Sequence, residues 1–512
     1  MEQMKQFSVR RGLWLLLAII LASAAVLAGC SSSNNNTSAS SPAAASATPV
    51  SSASAEPSPT VDPVQELKPV ELVWYLRMSK PNNADAVMAK LNEMIKAKIN
   101  ATVEFRFVAP ADYNSKMKLA MAAQEEYDLV WTSSWVNKFA PNVSRGAYIA
   151  LDEYIAQYPA IQNMYANKDI WGAVTIDGKI MGIPNQQIMG EQPGLLFLKD
   201  IVDKEKIDVN AIRSLDDLTS VMQTVKDNNP DVYPARNGSI INTAFGEYHP
   251  EIEGYKIDEK TMTVIEDYDE TVRLPRYKLA REWNQKGFFP PDVATMKNEE
   301  DVIKAGKLFS RYSRYLPGGE ATLNKTYGRD FKTIATGPAV INIASVQSTI
   351  TAVSATSKNP DRAVMLYNLL LTDKDIYNTL VFGIEGKDYV KLTDNRIGIV
   401  EGGYSFLNWE VGSVFNSYVF GDQEDDVWEQ TKALNDSSVL DPLLLFSFNR
   451  EPVETELAKI STVRSEFDGI LTNGLDDVDK VMKQYRDKLK VAGEDAVIAE
   501  INKQLAEWKS KK

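Results

Sequence analysis

The sequence predicts an α/β fold: strands and helices alternate in two separate passages, and the chain closes on a run of helices. The first passage carries the prediction. Glu71 to Leu76 is an apolar run of strand length, and from Ala84 to Ile99 the residues Val87, Leu91, Met94, Ile95 and Ile99 share one helical face. Thr102 to Val108 alternates as a strand, a second helix is expected from about Tyr113 to Gln124, and Tyr127 to Trp131 reads as a short buried strand. Strand, helix, strand, helix, strand at this spacing argues for βαβ units in a largely parallel sheet.

A similar passage starts near Gly194, with Leu195 to Leu198 as its strand. Ser214 is placed to cap a helix running through Leu218, Val221, Met222 and Val225, which Asn228-Asn229-Pro230 should stop. Another helix is expected from Pro275 to Lys286, and a Leu- and Met-rich helical pair from Asn359 to Leu380. The stretch from Glu454 to Trp508 is strongly helical, with breaks near Gly474 and Gly493.

The 512 residues carry 56 basic and 69 acidic side chains, a formal charge of -13. Nucleic-acid binding needs a concentrated basic face, which so acidic a chain does not offer. One cysteine, Cys30, and one histidine, His249, rule out an internal disulfide and a Cys/His zinc site. No phosphate-cradling Gly-Lys-Ser/Thr loop, GxSxG or CxxC occurs, so no cofactor and no catalytic residue is assigned.

Residues 1–29 read as a secretory signal: Lys5, Arg10 and Arg11 precede an apolar run from Leu13 to Val26, short for a membrane span. The run ends in Leu27-Ala28-Gly29-Cys30, which resembles a bacterial lipobox; the resemblance implies diacylation of Cys30 and a lipid-anchored protein on the outer face of the cytoplasmic membrane. Residues 30–68 are almost all Ser, Ala, Asn, Thr and Pro, a composition for a flexible tether rather than a core.

Several segments of the body, in order, resemble family-1 extracellular solute-binding proteins, the group that includes maltose-binding protein. They are Lys118 to Val130, Gly146 to Ile155, Asp177 to Pro184, Leu196 to Asp200, Ala305 to Lys307 and Ser357 to Ala363 followed by Leu369 to Asp373. Phe382 to Tyr389 is similar to a Gram-positive lipoprotein subgroup that carries an extra C-terminal domain. The resemblance implies a two-lobed periplasmic-binding-protein-like fold (type II) with hinge-linked lobes and additional C-terminal helices. It implies one lobe from 69–185 plus 335–390 and a second from 190–330 plus 404–512, with crossings near 184–194, 334–340 and 391–404. It further implies hinge closure on a small ligand and delivery to an ABC permease, with a monomer expected.

Ligands in open α/β sheets sit beyond the C-terminal ends of the strands. The candidate ligand-binding residues at those ends and crossings are Arg77, Trp131, Ser133, Trp135, Asn185, Gln186, Tyr312, Arg314 and Trp409. The family's cleft aromatics fall close to Trp131 and Tyr312. Indole and phenol rings suit the apolar face of a sugar, and Arg, Asn and Gln suit its hydroxyl rim, so an oligosaccharide is the favoured ligand, with an oligopeptide next. A cell-anchored polysaccharide-active enzyme using two carboxylates, and a ligand sensor of the same fold, stay open on the residues alone. The acidic run Asp422 to Asp426 lacks the alternation and central Gly of a calcium loop.

Overall fold

A computed structural model describes residues 67–511; the signal segment, Cys30 and nearly all of the tether lie outside the described residues. Val70–Leu76 pairs in parallel with Ala101–Phe107 and with Leu129–Thr132, and the helices Ala84–Ile99 and Pro110–Ala122 make the connections. Ile350–Val353 and Ile183–Pro184 complete this five-stranded sheet, with Ile350–Val353 antiparallel to both neighbours. Every residue of Leu129–Thr132 and Ile350–Val353 is buried. Strands covered on both faces read as continuous apolar runs, which is why these segments do not alternate.

The second sheet joins Phe331–Ala335, Gln192–Leu198, Leu308–Tyr315 and Tyr233–Ala235 in that order. It departs from the parallel pattern of the first passage: Gln192–Leu198 is antiparallel to both its neighbours, and only Tyr233–Ala235 pairs in parallel. Helix Leu215–Asn228 covers this sheet, and Ser214 caps it by accepting the Asp217 N–H.

Three hydrophobic cores hold the described residues. The first surrounds Trp74, Trp131 and Tyr367, and the second surrounds Phe197, Trp283 and Phe309. The third is built from Ile252, Tyr255 and Tyr277 together with Leu443, Leu457, Phe467, Tyr485 and Leu505. This third core corrects the expected division, which gave all of 404–512 to the second lobe. Tyr404, Phe406 and Val411 pack in the first core instead. The cause is a small sheet of Tyr389–Lys391, Arg396–Ile399 and Val419–Phe420, fixed to helix Lys374–Phe382 by the Tyr404 hydroxyl on Leu380 O (2.8 Å) and the Tyr418 N–H on Asn378 Oδ1 (2.9 Å). The chain therefore stays with the first core through Phe420 instead of leaving between 391 and 404, and Leu444 packs there as well. Two segments pass between strands of different sheets, from Pro184 to Gln192 and from Ala335 to Val340.

The C-terminal helices Glu454–Thr472, Val478–Ala492 and Glu494–Ser510 form a module docked on the second lobe. Two glycines permit the close approach. A Cβ on Gly238 would lie 1.7 Å from Thr472 O, and one on Gly474 (φ +58) would lie 2.3 Å from the Arg281 backbone. Hydrogen bonds lock the contact: Gly238 N–H to Asn473 Oδ1 (3.2 Å), Asn284 to Asn473 O (2.9 Å) and Arg281 to Gly474 O (2.9 Å).

Candidate functional site

Five segments of the first lobe converge at one end of its sheet. Arg77 follows Val70–Leu76, Ser133 to Trp135 follow Leu129–Thr132, Asn185 follows Ile183–Pro184, Ser348 and Thr349 precede the antiparallel Ile350–Val353, and Asn408–Glu410 forms a short turn beside them. Thr349 knits them together. Its hydroxyl accepts from Trp131 Nε1 (2.8 Å) and Asn185 Nδ2 (2.9 Å) and donates to Trp409 O (3.0 Å).

On this base stands an aromatic cluster. Trp131 meets Trp135 and Trp409 edge-on, with centroids 5.5 and 5.9 Å apart. Its outer member, Trp135, is 47% exposed. The Trp135 indole N–H is held by Ser348 O (3.0 Å), and the Arg77 guanidinium lies over the ring at 4.6 Å. An indole held in place by a hydrogen bond, a neighbouring ring and a cation, with about half of its surface still exposed, is a preset stacking surface.

Beneath it, Glu410 is completely buried, and neither of its carboxyl oxygens completes a hydrogen bond among the described residues. Burial pushes its pKa from the ordinary 4.5 up to about 8, and the nearby Arg77 charge and backbone N–H offset only part of that. Burial thus favours the protonated, neutral form of Glu410 near pH 7. Its place beside Trp409 at the last crossing is readable from the sequence, but nothing local marks it as the buried one among the chain's 69 acidic residues.

The expected ligand residues divide sharply. Trp135, Arg77 and Trp409 come together as described, and Tyr312 (38% exposed) and Arg314 stand on the facing lobe. Three others are corrected. Trp131 is fully buried and acts as a platform under the cluster. Ser133 is fully buried, its hydroxyl donating to Val136 O (2.8 Å) and accepting the Val136 N–H (2.9 Å) in a tight local turn. Asn185 is fully buried, donating to Thr349 and to Glu410 O (2.7 Å) and accepting from Thr351 (2.9 Å) and Tyr367 (3.1 Å). These bonds use up its amide, so it fastens the hinge and has nothing left for a ligand. Gln186 donates to Met164 O and lines a small recess with Tyr165 and Phe415, away from the cavity that holds Tyr312 and Arg314.

The crossing from Asn185 to Gln192 links the two surfaces. Gln187 donates to Ser348 Oγ (2.8 Å), one residue's backbone carrying both that hydroxyl and the carbonyl that holds Trp135. Four residues on, Glu191 pairs with Arg314 at 2.7 Å. Four extended residues span at most about 14 Å, so one short crossing ties Ser348, which holds Trp135, to Glu191, which pairs with Arg314. From Tyr312 and Arg314 a cavity of about 830 Å³ runs on between the second lobe and the C-terminal module. Among the described residues no group of His, Cys, Asp and Glu is placed to hold a metal ion, and no helix is long and apolar enough to cross a membrane.

Comparison with known proteins follows this geometry. The model of the family "Bacterial extracellular solute-binding protein" matches residues 81–376, and "Domain of unknown function (DUF3502)" matches residues 442–510. A carbohydrate ABC transporter substrate-binding protein of Streptococcus pneumoniae is 27% identical over 470 residues, which is 87% of this chain and 92% of that protein. The crystal structure of the N-glycan transport solute binding protein (NgtS) from Streptococcus pneumoniae superposes with a TM-score of 0.76 at 25% identity, covering 87% of this chain and all of that one. The same protein in complex with Man5GlcNAc superposes with a TM-score of 0.61 at the same identity and coverage.

Proposed function

The chain belongs to the family of bacterial extracellular solute-binding proteins, and from that premise we propose that it captures an oligosaccharide between its two lobes and presents it to an ABC permease. The observation that carries the reading is the half-exposed Trp135, held by Ser348 O, capped by Arg77 and backed by Trp131 and Trp409, at the strand ends that face the hinge. Trp135, Trp409, Arg77, Tyr312 and Arg314 are its ligand contacts. A sugar ring lies on the indole, and its hydroxyl rim meets the guanidinium groups and the tyrosine hydroxyl. The protein is a binding protein and not an enzyme, in keeping with its relatives.

A further observation supports the reading. The relatives' names specify carbohydrate and N-glycan. Proteins of this two-lobed kind bind by hinge closure, in which a ligand bridging the lobes favours the closed state. Lipidation at Cys30 with a tether to residue 68 completes the proposal: two acyl chains hold the body at the membrane outer face, where the permease is.

The test is a thermal-shift screen of the full chain against mono- and oligosaccharides, uronates and short peptides, with each hit recovered and weighed. A ligand at 100 times its Kd adds about 2.7 kcal/mol of stability. The expected result is a raised melting temperature with an oligosaccharide recovered intact. A shift by peptides alone, or recovery of cleaved sugar, overturns it.

A further inference from the structure

We infer that the C-terminal module, whose family carries no assigned function, is the far wall of the ligand site and reads the distal units of a long oligosaccharide. The inference rests on the oligosaccharide reading above. Its starting point is the 830 Å³ cavity, which lies in the upper part of the range for ligand sites, about 300–1,000 Å³. Tyr312 and Arg314 stand at its end nearest the hinge, with Asn342 and Gln192. Its opposite wall comes from helix Glu454–Thr472 of the module, and its floor from the Tyr248–Lys256 segment and Tyr268.

That helix shows two faces of different kind. Leu457, Ile460, Phe467 and Leu471 fill the third core. Arg464, Ser465, Asp468 and Thr472, spaced to share another face, line the cavity instead. Ser465 and Asp468 are exposed there. Arg464 has a buried Nε with no hydrogen-bond partner, while the rest of its guanidinium donates to Glu253 O (2.5 Å) and lies over the Tyr255 ring at 4.6 Å. Arg276, also on the wall, has no ion pair among the described residues, and its guanidinium donates to backbone carbonyls such as Ala244 O (3.0 Å). Tyr268 stands edge-on to His249 at 5.7 Å and adds a half-exposed ring.

A carboxylate, a hydroxyl, guanidinium groups and a tyrosine ring make the set that matches sugar hydroxyls and a sugar's apolar face. The wall is also preformed. Gly238, Gly474 and the Asn473 bonds fix the module to the second lobe, so binding there costs little reorganisation. Short ligands reach only the Trp135 cluster and Arg314, whereas long ones continue past Tyr312 into the chamber.

Titration calorimetry on the full chain with a size ladder of oligosaccharides tests this. The variants Asp468→Ala and Ser465→Trp change exposed positions, and the second fills the chamber with an indole. Wild-type affinity is expected to climb with length beyond a disaccharide. Both variants should lose at least tenfold for the long members and less than twofold for the disaccharide. Equal losses at every length, or no loss at any length, overturn the inference while leaving the oligosaccharide reading intact. Failure of wild type to bind any member overturns both.

Discussion

Replacing Glu410 with Gln should flatten the pH dependence of stability. The carboxyl is fully buried, and its pKa is raised from 4.5 to about 8 by desolvation. A raised carboxyl pKa means that the folded chain holds a proton that the unfolded chain gives up. Stability is fully present below pH 4.5 and declines as the pH rises towards 8. Each pH unit in that window is worth at most about 1.4 kcal/mol, and less near either pKa, so the loss between pH 5 and pH 8 is about 3.5 kcal/mol. Gln is neutral throughout and nearly isosteric. At pH 5 wild type and Glu410→Gln should therefore unfold alike, and at pH 8 the variant should be the more stable by that amount. Calorimetric scans of both proteins at half-unit pH steps read this directly. Parallel pH profiles for the two proteins would refute the assignment of Glu410 as a buried neutral acid.

Other outcomes follow from the same geometry. Trp135→Ala should weaken ligand binding by about 2 kcal/mol, roughly thirtyfold in Kd, with little change in melting temperature because the ring is 47% exposed. Asn185→Ala should do the reverse: it removes the acceptor of the buried Thr351 and Tyr367 hydroxyls, costing about 2–3 kcal/mol of stability by chemical denaturation. Arg314→Ala breaks an ion pair whose partners are 48% and 38% exposed, so stability should fall by under about 1 kcal/mol while affinity for oligosaccharide drops. Cys30→Ser should move the protein from the membrane fraction to the culture medium, read by immunoblot.

Local order was legible in the sequence wherever one face of an element is buried and the other wet. The helix from Ala84 to Ile99 was bounded by its apolar spacing alone, and the Ser214 cap by its side-chain chemistry. Pairing direction in the second sheet was not legible, because Leu195 to Leu198 is apolar whichever way its neighbours run. Nor was the third core. Ile252, Tyr255 and Tyr277 are roughly two hundred residues or more from most of the helical side chains they pack on, and no local pattern announces such a contact. At the site, residue type found the right neighbourhood but could not separate contact from support. Trp131 and Trp135 are four residues apart in a single strand-to-loop segment. The first is sealed under the second because Thr349 holds its indole N–H inside the sheet end. Ser133 and Asn185 were drawn from the correct strand ends, yet both spend their polar groups on the turn and hinge that shape the site.

Small-angle scattering of the chain with and without a saturating oligosaccharide identified by thermal shift tests the central claim most directly. Capture between hinged lobes predicts a smaller radius of gyration with ligand in wild type, and no change in Trp135→Ala at the same ligand concentration. A bound oligosaccharide that raises the melting temperature yet leaves the wild-type radius unchanged would contradict capture between the lobes.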